Sequence, residues 1–133
     1  MTFAPEELEY LRSQRLGRLA TVQPDGTLQV NPVGYHVDAT RGFVDIGGRN
    51  MAASRKFRNV ADNGRVAFVV DDIASVDPWV VRCLEIRGDA EALTDPGDTR
   101  AYGDGPVIRI RPRRIIGWGL GADGRYGTRR TIA

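Results

Sequence analysis

A chain of 133 residues has the length of one ordinary domain and can bury roughly two thirds of its unfolded surface. Its 41% hydrophobic and 27% charged residues are those of a globular protein in water, and no apolar run approaches the ~20 residues of a membrane-spanning helix. A formal net charge of +2 is too small for a general polyanion binder, while a single cysteine, Cys83, and a single histidine, His36, leave no internal disulfide and no metal-ligand set with usable spacing.

Residues 4–17, APEELEYLRSQRLG, predict a helix: Pro5 suits its first position, Glu6 and Glu7 favour its positive N-terminal end, and Gly17 suits its stop. Leu8, Leu11 and Leu16, with Tyr10, give that helix one apolar side for bracing a sheet. QPDGT is a Pro-Asp-Gly turn between two β-prone runs, so 18–23 and 27–37 are expected to pair as an antiparallel hairpin. Pro32 and Gly34 interrupt the second run and predict a bulge or an edge approached by another group. After the DATRG turn, Phe43 to Ile46 forms a third strand that ends at Gly47-Gly48. Residues 50–61 have helical spacing, closed by Asn63-Gly64. RVAFVVDD and WVVRCLEIRGDAEAL read as two long strands, with Cys83 as core filler in the second. The turn-rich TDPGDTRAYGDG leads to PVIRIRP and RRIIGWGL as the last two strands, and 121–133 reads as a loose basic tail. Trp118, in the final strand, is expected to pack in the core, the alternative being a contact with a group bound by a partner subunit. Gly88, placed mid-strand where a barrel wall bends, favours a small closed or split barrel over an open sheet. The expectation is a single mainly-β domain over 1–133, with six to seven mostly antiparallel strands and two short helices.

Of the nineteen Lys and Arg residues only Lys56 is a lysine, and it stands in GGRNMAASRKFRN, a strand end in glycines followed by Ser-Arg-Lys at a helix start. That order supplies a hydroxyl, a forked guanidinium, a compact ammonium and free backbone N–H groups on one short arc, the set a phosphate needs. A solvated basic helix end is the alternative. Neither GxGxxG nor GxxxxGK followed by Ser or Thr is present.

Residues 42–70, GFVDIGGRNMAASRKFRNVADNGRVAFVV, resemble the strand, Ser-Arg-Lys, helix and strand of the pyridoxamine 5′-phosphate oxidase-like split-barrel flavoproteins. The hairpin at 19–38 and the late RIIGWGL are similar to the short actinobacterial branch that uses the deazaflavin coenzyme F420. The resemblance implies a split β-barrel of the FMN-binding-protein kind, a homodimer, and a coenzyme in a groove at the dimer interface. By that analogy Ser54, Arg55 and Lys56 hold the phosphate, with Arg58 in reach. Asn31, Pro32, Val33 and Gly34, with Ile46, Gly47 and Gly48, line the ring. F420 is the expected cofactor and FMN the alternative, since both present a phosphate to one anchor. F420 adds an acidic tail, for which Arg49, Arg58, Arg125, Arg129 and Arg130 are the available cations. The substrate-binding Arg and His set of the classical oxidase has no counterpart here, so pyridoxamine phosphate oxidation is not expected.

The implied activity is hydride transfer between the coenzyme and a small organic substrate, chemistry that needs mainly proximity and water exclusion. Tyr35 and His36 are the compact proton donors on the ring strand, and strand geometry lets only one of them face the site. A non-catalytic flavin or deazaflavin carrier would have the same site. A single-stranded nucleic-acid-binding barrel is the reading from a different class, with aromatics that are not interleaved with the basic cluster. No membrane or metal partner is expected. The amino-terminal MTFAPEE lacks the segments of a secretory signal, so the expected setting is the cytoplasm.

Overall fold

The computed structural model describes residues 2–133, for Asp104 the backbone alone. Helix α1 (Pro5–Ser13) is followed by strands β1 (Leu16–Val22), β2 (Leu28–Asp38) and β3 (Phe43–Ile46), then helix α2 (Arg55–Asn63). Strands β4 (Arg65–Ser75), β5 (Val80–Leu93), β6 (Val107–Leu120) and β7 (Tyr126–Thr131) complete the chain, with short 3-10 turns at Met51–Ala53 and Tyr102–Asp104. The strands run in the order β3-β2-β1-β4-β5-β6-β7, and pairing of β3 with β6 closes the first six into an antiparallel barrel. β7 lies outside that circle, along β6.

Local chemistry explains the turns. In the β1–β2 turn Gly26 adopts φ 91°, and the Asp25 carboxylate accepts from the Thr27 N–H. Helix α2 starts where the Ser54 hydroxyl accepts the Phe57 N–H, and it stops at Gly64, whose φ of 68° is the left-handed conformation that ends a helix. Gly88 stands at a bulge: β5 and β6 slip by one residue between Arg87 and Gly88, and a Cβ at Gly88 would lie 2.3 Å from the Arg111 carbonyl oxygen.

Five expectations change. The two runs read as separate last strands are one strand, β6, because Pro112 falls opposite Gly88 at the bulge, where a missing N–H is tolerated. The stretch expected as a loose tail carries β7: Tyr126, Thr128 and Arg130 turn toward α1, and both Tyr126 and Arg130 bond the Glu7 carboxylate. β2 runs through Pro32 and Gly34 without a register shift; only the edge reading holds, since β3 pairs with β2 from Tyr35 onward. Trp118 is 49% exposed on the outer face, and Leu16 belongs to β1 and is exposed, not part of the docked side of α1.

The barrel interior is filled by Leu19, Phe68, Leu84, Ile86, Ile108, Ile110 and Ile115, all essentially sealed, each worth about 1.5–3 kcal/mol of burial. α1 closes one part of it with Tyr10 and Leu11, and α2 another with Phe57 and Val60. Glu7 is fully buried beneath β7. Burial would raise its pKa, but hydrogen bonds from Arg130, the Ala4 N–H and Tyr126 outweigh that and hold the carboxyl below its ordinary value. Among the described residues no helix is long and apolar enough to cross a membrane, and no group of three His, Cys, Asp or Glu is placed to hold a metal ion.

Candidate coenzyme and substrate site

The first turn of α2 collects the predicted phosphate anchors. Ser54 is the helix cap: its hydroxyl donates to the Met51 carbonyl at 2.6 Å and accepts from the Phe57 N–H at 3.2 Å. The N–H groups of Arg55 and Lys56 precede the first intrahelical bond and stand free for a ligand. Arg55 and Arg58 are exposed, Lys56 is half-buried, and none of the three has an acidic partner within ion-pair distance among the described residues. Asp25, in the β1–β2 turn, is held below the ordinary carboxylate range first by the Thr27 N–H and in part by the charge of Arg55. The helix start therefore sits beside the hairpin turn.

α2 is keyed to the hairpin by Asn59. Its buried side-chain amide donates to the Thr21 hydroxyl at 3.0 Å and the Gln29 carbonyl at 3.3 Å, and Gln29 in turn donates to Asn31 at 2.8 Å. Asn59, 1% exposed, thus serves to pack the helix against the hairpin. That chain ties the phosphate anchors to the strand carrying Asn31, Pro32, Val33 and Gly34. On the other side, Gly48 leads into Met51, whose Cε a Cβ at Gly48 would meet at 3.6 Å. The two halves of the predicted site thus share one scaffold.

Gly34, Gly47 and Gly48 form the floor of a cavity of about 510 Å³, walled by Arg15, Tyr35, His36, Arg100 and Tyr102. A Cβ at Gly34 would touch nothing within 4 Å, so this floor is open space that a flat group can occupy. Val33 and Ile46 point the other way, into the core. A second cavity, of about 450 Å³, adjoins the first and shares His36 and Arg100 with it.

Of the two candidate donors, Tyr35 faces inward. Its ring meets Phe68 edge-on at 5.2 Å and its hydroxyl donates to the Leu11 carbonyl, while burial pushes its pKa up to about 12. His36, the next residue, faces the cavities. Cys83 is buried and its thiol is pushed up to about 11 by burial, with Asp71 and Glu85 adding to it; it is inert filler.

The wall carrying Arg100 and Tyr102 was not found from sequence. It is fixed by a buried ion cluster: Arg109, 6% exposed, donates from Nε and Nη2 to Asp45 at 2.9 and 3.0 Å, and from Nη2 to Asp98 at 2.9 Å. Thr99 donates to Asp45 at 2.7 Å and accepts the Ala101 N–H. Arg109 also lies 3.9 Å from the centre of the Phe43 ring. Neighbouring arginines of β6 are neutralised across the strand pair, Arg111 by Glu91 and Arg113 by Asp89, whereas Arg114, Arg125 and Arg129 have no acidic partner among the described residues. The one cue in the sequence was the isolated Asp45 inside an otherwise apolar strand.

A six-stranded antiparallel barrel with a basic helix start beside a glycine-floored cavity defines the split-barrel class of flavin-type proteins. The chain belongs to the pyridoxamine 5′-phosphate oxidase family, whose model matches residues 3–119. It is 50% identical over 124 residues, covering 92% of this chain and 87% of the relative, to a 5a,11a-dehydrotetracycline/5a,11a-dehydrooxytetracycline reductase of Streptomyces rimosus. A solved F420 reductase is 29% identical with a TM-score of 0.62, covering 84% of this chain and 98% of that one. The FAD binding protein from Mycobacterium smegmatis shares the fold at 23% identity and a TM-score of 0.65, covering 96% and 97%. The protein is an oxidoreductase of this family.

Proposed function

We propose that the protein is an F420-dependent reductase that saturates an activated carbon–carbon double bond of a polycyclic organic substrate. The observation that carries this reading is the 50% identity to a dehydrotetracycline reductase across nearly the whole chain, in which the unpartnered Arg55, Lys56 and Arg58 surround the first turn of α2. The likeness to a solved F420 reductase supports the choice of coenzyme. The residues fit the group: Lys56 and the free N–H groups of α2 hold a phosphate, and the open space at Gly34, in the cavity that Gly47 and Gly48 also line, accepts a planar ring.

The bound coenzyme supplies a hydride to one carbon of the double bond, and a proton delivered to the other completes the reduction. The protein's own contribution is position: Asn59 fixes α2 to the hairpin, the glycines leave the ring face unobstructed, and Arg100 and Tyr102 flank the space above it. His36 faces this cavity, where it can pass a proton from solvent toward the substrate.

A homodimer completes the site in this reading. Leu16, Leu28, Val30, Ile73 and Trp118 are all exposed, and the strand registers put them on one outer face of β1, β2, β4 and β6. A second copy covering that face would shield both this apolar surface and the coenzyme ring. We place the protein in the cytoplasm, where the unpaired Cys83 stays reduced.

The test is an anaerobic assay with chemically reduced F420 and a 5a,11a-dehydrotetracycline, following coenzyme oxidation and product mass. A gain of two mass units with stoichiometric oxidation supports the reading; oxidation without product, or no oxidation, contradicts it.

A further inference from the structure

We propose that the groove formed by the two adjoining cavities binds a flat organic anion, a carboxylate or ionised enol borne on fused rings. The proposal rests on the reductase reading for its consequence, because the shared glycine floor sets this anion against the coenzyme ring.

The groove is cationic without compensation. Among the described residues no carboxylate lines the larger cavity, which carries Arg15, Arg100 and His36. The two carboxylates of the adjoining cavity are already committed, Asp38 to Arg41 and Asp45 to Arg109, whereas Arg12 and Arg100 line it with no acidic partner among the described residues. Arg18, Arg82, Arg87, Arg111, Arg113 and Arg130 are each ion-paired, and the other arginines without an acidic partner among the described residues, Arg49, Arg55, Arg58, Arg65, Arg114, Arg125 and Arg129, line neither cavity. Three unspent guanidiniums around one concavity concentrate positive potential there, and their planar forks match the paired oxygens of a carboxylate or a β-dicarbonyl enolate.

Shape supplies the rest of the specification. A volume of about 510 Å³ suits a drug-sized ligand, far larger than an inorganic anion. The open floor at Gly34 admits a flat ring, and the exposed Tyr102 offers an aromatic face beside it. Arg100 is held on a rigid mount: the preceding Thr99 is tied to buried Asp45, Ala101 is sealed, and a Cβ at Gly47 would press within 3.1 Å of the Ala101 and Tyr102 side chains. A cation carried on such a mount is placed for recognition, in contrast to a solvated surface arginine.

The experiment uses the full chain, coenzyme-free, titrated with 1-hydroxy-2-naphthoate and with its neutral amide by ligand fluorescence, for wild type, Arg15→Gln and Arg100→Gln; F420 and FMN titrations run alongside. Both arginines are exposed and unbonded, so unchanged thermal melting is expected to accompany each variant. The proposal predicts that wild type prefers the acid over the amide, that each variant weakens acid binding about tenfold or more, and that amide affinity stays put. Equal binding of acid and amide, no binding of either, or variants that leave acid binding unchanged overturn it. If the variants weaken F420 alone, the arginines serve the acidic tail of the coenzyme and the proposal is also overturned. Failure of both F420 and FMN to bind while the acid still depends on Arg15 and Arg100 would sink the reductase reading and leave the anion groove standing.

Discussion

Asp45→Ala tests the buried ion cluster that holds the cavity wall. The substitution removes two hydrogen bonds of 2.9 and 3.0 Å from a guanidinium whose side chain is 7% exposed, and takes away the acceptor of Thr99. Stranding a buried charge typically costs about 3–5 kcal/mol, and Asp98, still 2.9 Å from Arg109, retains part of the compensation, so a loss of about 3 kcal/mol is expected. For a domain of this size that corresponds to a fall of roughly 10 °C in melting temperature. Guanidinium unfolding at pH 7 and one protein concentration measures it. The double variant Asp45→Val with Arg109→Met removes both charges and fills the space, and should recover all but about 1 kcal/mol of the loss. A loss below about 1 kcal/mol in Asp45→Ala, or a double variant as unstable as the single one, would refute the reasoning.

Arg130→Gln leaves Glu7 fully buried with only the Ala4 N–H and Tyr126, and should destabilise the fold by about 2–4 kcal/mol at pH 7. The sign follows from the depressed pKa of Glu7: its stabilisation is present above the unfolded value and is lost as pH falls through the folded one, so the gap between wild type and variant should narrow on acidification to about pH 4 in thermal melts. Gly34→Val puts a side chain into open space at a strand position, so melting should hold or rise slightly, while coenzyme affinity should drop about tenfold or more in a fluorescence titration. Tyr35→Phe removes a hydroxyl bonded to the Leu11 carbonyl; unfolding should show a loss of about 1 kcal/mol, and reductase turnover should match wild type, since the phenol faces α1.

The barrel was legible in the sequence wherever local chemistry decides: the Pro-Asp-Gly turn, the Gly64 stop of α2, and Gly88 at the bend each appear as expected, while α2 starts at Arg55, behind the Ser54 cap, and not at residue 50. β7 was hidden because its inward residues, Tyr126, Thr128 and Arg130, are polar and find their partner 119 or more residues away in Glu7. Pro112 split β6 on paper because its tolerance depends on a bulge formed with another strand. Trp118 was assigned to the core by residue type, although it follows inward-facing Ile115 and Gly117 on the opposite side of the strand, and the irregularity after Gly117, where Gly119 adopts φ 73°, returns Leu120 to the core. Gly47, Gly48 and the basic turn of α2 stand in one contiguous segment, so the sequence offers them together; Arg15, Arg100 and Tyr102 join the cavity only through tertiary structure, from stretches without periodicity.

Parallel titration of coenzyme-free protein with F420 and FMN, on wild type and Lys56→Ala at fixed ionic strength, tests the central claim most directly. The account predicts that F420 binds more tightly than FMN and that loss of the ammonium weakens F420 by about 10- to 100-fold, the value of a charge-assisted phosphate contact. Binding of neither coenzyme at micromolar concentration, or F420 binding indifferent to Lys56, would contradict it.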